Sequence, residues 1–122
     1  MKALVVDDSR AIRLILSHIM RELGFEVAEA RHGREALQHL QLHADTSVAL
    51  VDWNMPEMNG FDLVVAVRQD ERLRGTRLMM VTTEAEMAQM SRALEAGADE
   101  YVMKPFTKDV IEDKLRLLGL AS

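Results

Sequence analysis

Five short apolar runs, each followed by a helix-like repeat, constrain this chain more than any other feature of it. Ala3 to Val6, Val48 to Val51, Leu78 to Val81 and Tyr101 to Met103 are bounded by polar or turn-forming residues, as strands buried in a parallel sheet are. Phe25 to Ala30 is the fifth run, and its Glu26 and Glu29 give it the polarity of a strand near a sheet edge. Between the runs, Ile12, Ile15, Leu16, Ile19, Met20 and Leu23 recur at steps of three and four, and Gly24 follows where a left-handed helix cap would sit. Leu37 and Leu40, then Leu63, Val64 and Val67, then Met87, Met90 and Leu94 before Gly97, then Val110, Ile111, Leu115 and Leu118 predict four more helices. Five successive β-α units predict an α/β fold: one parallel sheet with helices on both faces. No linker, repeat or low-complexity tract interrupts them, so residues 1–122 are expected to form one domain with no output domain behind it.

Composition narrows the classes of function. A chain of 122 residues with 48% hydrophobic content can bury a sufficient core without disulfides or a structural metal. Fifteen basic residues against twenty acidic ones give a net charge of -5, which disfavours nucleic acid as a direct partner. The densest arginine stretch, Arg68, Arg72, Arg74 and Arg77, is interrupted by Asp70 and Glu71 and reads as a solvated helix end and loop. The absence of cysteine removes thiolate nucleophiles and thiolate metal sites and fits a reducing compartment. No apolar run is long enough to span a bilayer, and the N-terminus meets two aspartates too soon for a signal peptide, so a cytoplasmic protein without membrane insertion is expected.

The polar residues that end the strands carry the chemistry. Asp7 and Asp8 follow the first, Asp52 the third, Thr82 the fourth and Lys104 the fifth. In an open α/β sheet ligands bind beyond the carboxyl ends of the strands, so these five groups are expected at one rim. Each alone is an ordinary turn or cap residue; their coincidence is what points to a site. Three clustered carboxylates repel one another, which raises at least one pKa unless a cation intervenes. Mg2+ suits them, since it takes oxygen ligands and keeps several waters. Asp52 can then attack phosphorus to give an aspartyl phosphate. The Lys104 ammonium and the Thr82 hydroxyl are suited to the phosphoryl oxygens of that product.

These residues resemble those of the response-regulator receivers, and most closely receivers of the chemotaxis type. The resemblance covers essentially the whole chain and rests on Val5-Val6-Asp7-Asp8-Ser9, on Asp52-Trp53-Asn54-Met55-Pro56 through Gly60, on Val81-Thr82 with Glu84, on Ala96-Gly97-Ala98 and on Lys104-Pro105-Phe106. It implies a doubly wound five-stranded sheet in the flavodoxin-like order 2-1-3-4-5. It implies Asp52 as phosphoacceptor for a histidine kinase, and Mg2+ held by Asp8, Asp52 and the Asn54 carbonyl, with Asp7 acting through water. Thr82, Lys104 and the aromatic Tyr101 would form the switch, Asn54 and Glu84 would tune dephosphorylation, and the Lys104–Pro105 bond would be cis. Thr83 stands where the family commonly has Ala or Gly, and its β-branch is expected to narrow access to Asp52.

The resemblance also implies a downstream protein target, with a flagellar motor or chemotaxis component as the first choice and a phosphorelay or adaptor role as the alternative. Met87, Met90 and Leu94 on one side of a helix, with Tyr101 and Lys114, are the candidate contacts, because Met suits adaptable binding surfaces; burial of the same stripe is the competing reading. An aspartate-nucleophile phosphatase would need a second Asp two residues after a first-strand nucleophile, which Asp7-Asp8-Ser9-Arg10 lacks. A flavodoxin-like carrier would need a hydroxyl-rich phosphate loop where two aspartates stand, and a pseudo-receiver would not need the full acidic set. The chain is thus expected to be a signalling switch rather than an enzyme acting on a separate substrate. His39 and His43, four apart, read as exposed helix-end residues, and Trp53 reads as a partly exposed reporter beside Asp52.

Overall fold

A computed structural model describes residues 1–121. Strands β1 (Lys2–Val6), β2 (Glu26–Ala30), β3 (Val48–Asp52), β4 (Arg77–Thr82) and β5 (Glu100–Met103) alternate with helices α1 (Arg10–Glu22), α2 (Gly33–Leu42), α3 (Gly60–Gln69), α4 (Met90–Ala96) and α5 (Lys108–Leu117). The strands form one parallel sheet in the order β2-β1-β3-β4-β5. The winding reverses between β1 and β3, so the crevice at their carboxyl ends lies at the switch point.

Period-two alternation divides the apolar side chains between the two faces of the sheet. Leu4, Val6, Ala49, Val51, Leu78 and Met80 pack with Leu40, Leu63 and Val67 of α2 and α3. Val5, Val48, Leu50, Met79 and Val81 pack with Leu16, Met20, Ile111 and Leu115 of α1 and α5. Each fully buried aliphatic side chain contributes about 1.5–3 kcal/mol of transfer free energy. The edge strand β2 keeps Glu26 exposed and Glu29 half-buried, the latter paired with Arg13 of α1 at 3.2 Å, as its sequence suggested. Ile15 departs from the apolar stripe of α1: with Leu14 it stays about half exposed, because Leu16, Ile19 and Met20 already fill the face that meets the sheet.

Helix starts are fixed by side chains that accept otherwise orphaned amides. Ser9 caps α1 through the Ile12 amide, Asn59 caps α3 through that of Asp62, and Thr107 caps α5 through that of Val110. Gly24 and Gly97 adopt φ of 94° and 125°, as expected at helix ends. At Gly97 space matters as well: a Cβ would lie 2.4 Å from Cγ of Arg68.

Two expectations need correction. The helix predicted through Met87, Met90 and Leu94 is broken into a 3-10 segment, Glu84–Gln89, and the short α4, so Met87 does not share a regular face with the other two. Met90 is 3% exposed and belongs to the core, whereas Leu94 is 40% exposed. The second correction concerns Arg68, which is not a solvated helix end. Its guanidinium donates to the carbonyls of Gly97 (2.8 Å), Thr76 (2.9 Å) and Leu73 (3.3 Å) and to Asp99 Oδ2 (2.8 Å), tying α3 to the connections that lead into β4 and β5. A fork of fixed N–H donors can serve several acceptors at once, which an ammonium cannot. Arg68→Ala is expected to lower stability by about 2–3 kcal/mol in urea titration, with Arg68→Lys recovering little of it. Arg72→Ala, which removes an exposed ion pair with Asp70, should change stability little.

Candidate functional site

The carboxyl ends of β1, β3, β4 and β5 bring Asp7, Asp8, Asp52, Thr82 and Lys104 to one rim, as the sequence predicted. One carboxylate oxygen from each of Asp7, Asp8 and Asp52 lies within 4.8 Å of the others. Asp7 is 1% exposed and Asp52 5%, while Asp8 faces solvent. The buried pair is held from both sides. Asp7 Oδ1 accepts the Ser9 amide at 2.8 Å, the Asp7 carbonyl accepts from Arg13 at 2.8 Å, and Lys104 Nζ donates to Asp52 Oδ1 at 3.0 Å. Lys104 Nζ stands 3.8 Å from Asp7 Oδ2, beyond hydrogen-bond length, and that buried oxygen has no hydrogen-bond partner among the described residues.

Electrostatics follow from this packing. Burial pushes Asp52 up to about 6, with repulsion from Asp7 and Asp8 adding to it and the bond from Lys104 opposing it. Asp7 is raised mainly by burial, against the Ser9 amide and Lys104, which favour its ionised form. Burial works against the Lys104 charge, but Asp52, Asp7 and Glu86 together hold it above the ordinary lysine value. Hard oxygen donors, an unpartnered buried oxygen and one lysine facing three carboxylates fit a hard cation. The cluster can hold a metal ion, with Asp8 on the solvent side.

The loop after β3 brings α3 up against the site. Gly60 donates its amide to the Trp53 carbonyl at 2.9 Å, and a Cβ on Gly60 would stand 2.7 Å from the Asp52 carbonyl oxygen. Glu57 in this loop has φ of 66°, the left-handed region that non-glycine residues rarely enter. Asn54 is exposed on the same loop. Trp53 is not partly exposed as expected: it is 8% exposed, edge-on to Phe61, although it remains next to Asp52. The Lys104–Pro105 peptide is cis.

Residues 3–116 match the response regulator receiver domain. The chain belongs to that family. This receiver is 49% identical over 119 residues to the chemotaxis protein CheY1 of Helicobacter pylori, covering 97% of the chain and 96% of that protein. It is 47% identical over 117 residues to CheY of Pseudomonas aeruginosa, covering 94% and 93%. The structure of CheY4 of Vibrio cholerae superposes with a TM-score of 0.87 at 38% identity, over 95% of the receiver and 96% of that chain.

The other residues singled out from the sequence lie around the receiver's rim or away from it. Glu84 is exposed at the start of the 3-10 segment after Thr82. Tyr101 is half-buried on β5 with Lys114 Nζ 4.6 Å from its ring centroid, and Lys114 also donates to Glu100 at 3.1 Å. Met87 is half-buried against the core. His39 on α2 and His43 just past its end stack at 4.4 Å, far from the rim in the fold; His43 is exposed, but His39 is only partly so, and burial followed by His43 holds its pKa down.

Sequence reasoning passed over Glu86. Its carboxylate accepts the Thr83 amide at 3.0 Å and the Thr82 hydroxyl at 3.4 Å. The signal was available, because Thr83-Glu84-Ala85-Glu86 has the spacing of a capping box.

A carboxyl whose pKa is higher folded than unfolded contributes stability that is full below the unfolded value and is lost as pH rises through the folded one. For Asp52 that window runs from the ordinary carboxylate range near pH 4 to about 6, a loss on the order of 3 kcal/mol in metal-free protein. Asp52→Asn should therefore gain stability over the parent as pH is raised from 4 to 7.5. Denaturant titrations across that range check it, and a pH-independent difference would contradict the strain on Asp52.

Proposed function

We propose that Asp52 is the phosphoacceptor of this receiver and takes its phosphoryl group from a phosphohistidine of a histidine kinase. One observation carries the reading: a nearly buried carboxylate at the end of β3, bonded to Lys104 and crowded by two further carboxylates. Attack by Asp52 forms a P–O bond as the P–N bond to the donor imidazole breaks, and the leaving nitrogen retains the electron pair. Lys104 is already within bonding distance of the acceptor and meets the charge that the phosphoryl oxygens bring. Thr82, buried at the end of β4, offers the hydroxyl that senses them.

Asp8, Asp52 and the Asn54 carbonyl would hold Mg2+, with Asp7 binding through water; bound there, the ion supplies charge neutralisation for the approaching phosphoryl group. Asn54 and Glu84, both exposed, would influence how water reaches the site. Thr83 is half-exposed beside Thr82, where its branched side chain would limit bulky donors.

The similarity of 45% and more to chemotaxis proteins of several bacteria, over nearly the full length of each, supports a role in chemotaxis. The target is a protein, in this reading a motor or chemotaxis component, and the contacts are Leu94, Tyr101 and Lys114. Met87 would lie at their margin, and Met90 is excluded by its burial. The receiver then acts as a switch that catalyses only its own phosphotransfer and dephosphorylation. Among the described residues no helix is long and apolar enough to cross a membrane, in keeping with a role in the cytoplasm.

Incubation with a small phosphodonor and Mg2+ should add one acid-stable, base-labile phosphoryl group, and Asp52→Asn should abolish it. Labelling of that variant at full yield would exclude Asp52. Asp8→Ala should raise the metal-free melting temperature by relieving repulsion. A ligand bound only to the folded state stabilises by ~2.7 kcal/mol at a hundredfold excess over its Kd. Mg2+ should accordingly raise the melting temperature of the parent and do little for Asp8→Ala; equal responses would remove Asp8 from the ligand set.

A further inference from the structure

We propose that Glu86 is a positioning residue that holds the Thr82 hydroxyl in the resting receiver, so that a phosphoryl group on Asp52 must win that hydroxyl from it. The inference rests on the phosphoacceptor reading of Asp52 and extends it to a residue which that reading does not use.

A hydroxyl has one proton to donate. Thr82 Oγ1 lies 3.2 Å from the Thr83 carbonyl and 3.4 Å from Glu86 Oε1, and Thr82 itself is fully buried. Both contacts are long for a hydroxyl, so the proton is divided between two acceptors, and the hold of Glu86 is a weak one that a closer phosphoryl oxygen can overcome. Glu86 is itself fixed in place. The same Oε1 accepts the Thr83 amide at 3.0 Å, and the Glu86 amide donates to the Thr83 carbonyl at 3.1 Å, closing a small ring at the start of the 3-10 segment. The carboxylate is half-buried, and its field reaches Lys104.

A phosphoryl group arriving at Asp52 therefore meets two effects of one residue. The hydroxyl it would recruit already has a charged acceptor, and its own negative charge faces the charge of Glu86 across Thr82 and Lys104. Both oppose the phosphorylated state, and both disappear when Glu86 is truncated. The capping role of Glu86 is separable from its hold on Thr82, because the cap uses the Thr83 amide and the hold uses the Thr82 hydroxyl.

The test is the Kd for beryllofluoride, a phosphoryl mimic, at saturating Mg2+, read by calorimetry on the full chain. Parent, Glu86→Ala, Glu86→Gln, Thr82→Val and the two double variants are compared. Loss of one hydrogen bond is expected to tighten binding by roughly two- to tenfold in Glu86→Ala. Glu86→Gln, which keeps an oxygen acceptor without the charge, should lie between and also preserves the cap if the alanine variant does not fold. In the Thr82→Val background the effect of either substitution should shrink at least twofold, an outcome that capping alone does not produce, since a weakened cap acts equally in both backgrounds. An unchanged Kd on substituting Glu86, or an effect undiminished by Thr82→Val, overturns the proposal while leaving Asp52 as acceptor. Mimic binding that persists in Asp52→Asn overturns the acceptor reading and this inference with it.

Discussion

The structure is organised around carboxylates that topology forces together against their mutual repulsion. Parallel pairing of β1 with β3 aligns Val6 with Val51, so the residues that follow, Asp7 and Asp52, emerge side by side at the switch point. A buried apolar sheet beneath them excludes the water that would otherwise screen their charges. Lys104 answers part of the resulting potential and leaves Asp7 Oδ2 without a partner. The site is a stored electrostatic imbalance, which a bound cation would relieve.

That imbalance needs a rigid frame, since carboxylates free to move would separate. The frame is supplied at three points. Ser9 ends β1 with a helix cap while its amide holds Asp7, so one residue serves both the helix and the site. Gly60 lets α3 begin in contact with the Asp52 backbone, where any side chain would collide with the carbonyl of Asp52. Arg68 ties α3 to the connections that lead into β4 and β5, the strands that end at Thr82 and just before Lys104.

Much of this was legible in the sequence because it depends on order and period. Apolar runs alternating with helical stripes determine a doubly wound sheet, and residues just past the strand ends must then share a rim, which is how Asp7, Asp8, Asp52, Thr82 and Lys104 could be placed together from residue types alone. What was not legible depends on geometry within a few residues. The stripe Met87, Met90, Leu94 has helical spacing, yet the chain enters it through a 3-10 segment that takes Met87 out of register with the other two, and within α4 Met90 is buried while Leu94 is 40% exposed. Arg68 reads as solvated because charge runs usually are; nothing local reveals that the loop after α3 and the distant Gly97 both turn carbonyls onto its guanidinium. Trp53 was placed outward by its polar neighbours, whereas its ring turns back toward Phe61 and the core.

The same irregular segment explains where a change at Asp52 can be felt. Helices α1, α3 and α5 each bury at least two large side chains against the sheet, but no residue of Glu84–Gln89 is fully buried, and α4 anchors only Met90 and Ala93. Local stability follows buried apolar contact, so the stretch directly after Thr82 is the least costly part of this rim to rearrange. Thr82 is its first fixed point, Glu86 its internal tie, and Tyr101 lies on the next strand over, half-buried with Lys114 against its ring. A switch needs an element with two arrangements of similar free energy, and sparse packing makes this segment the candidate for one, next to the buried Thr82. The sheet beneath it is packed on both faces, so a rearrangement that starts at this segment meets less resistance there than across the strands.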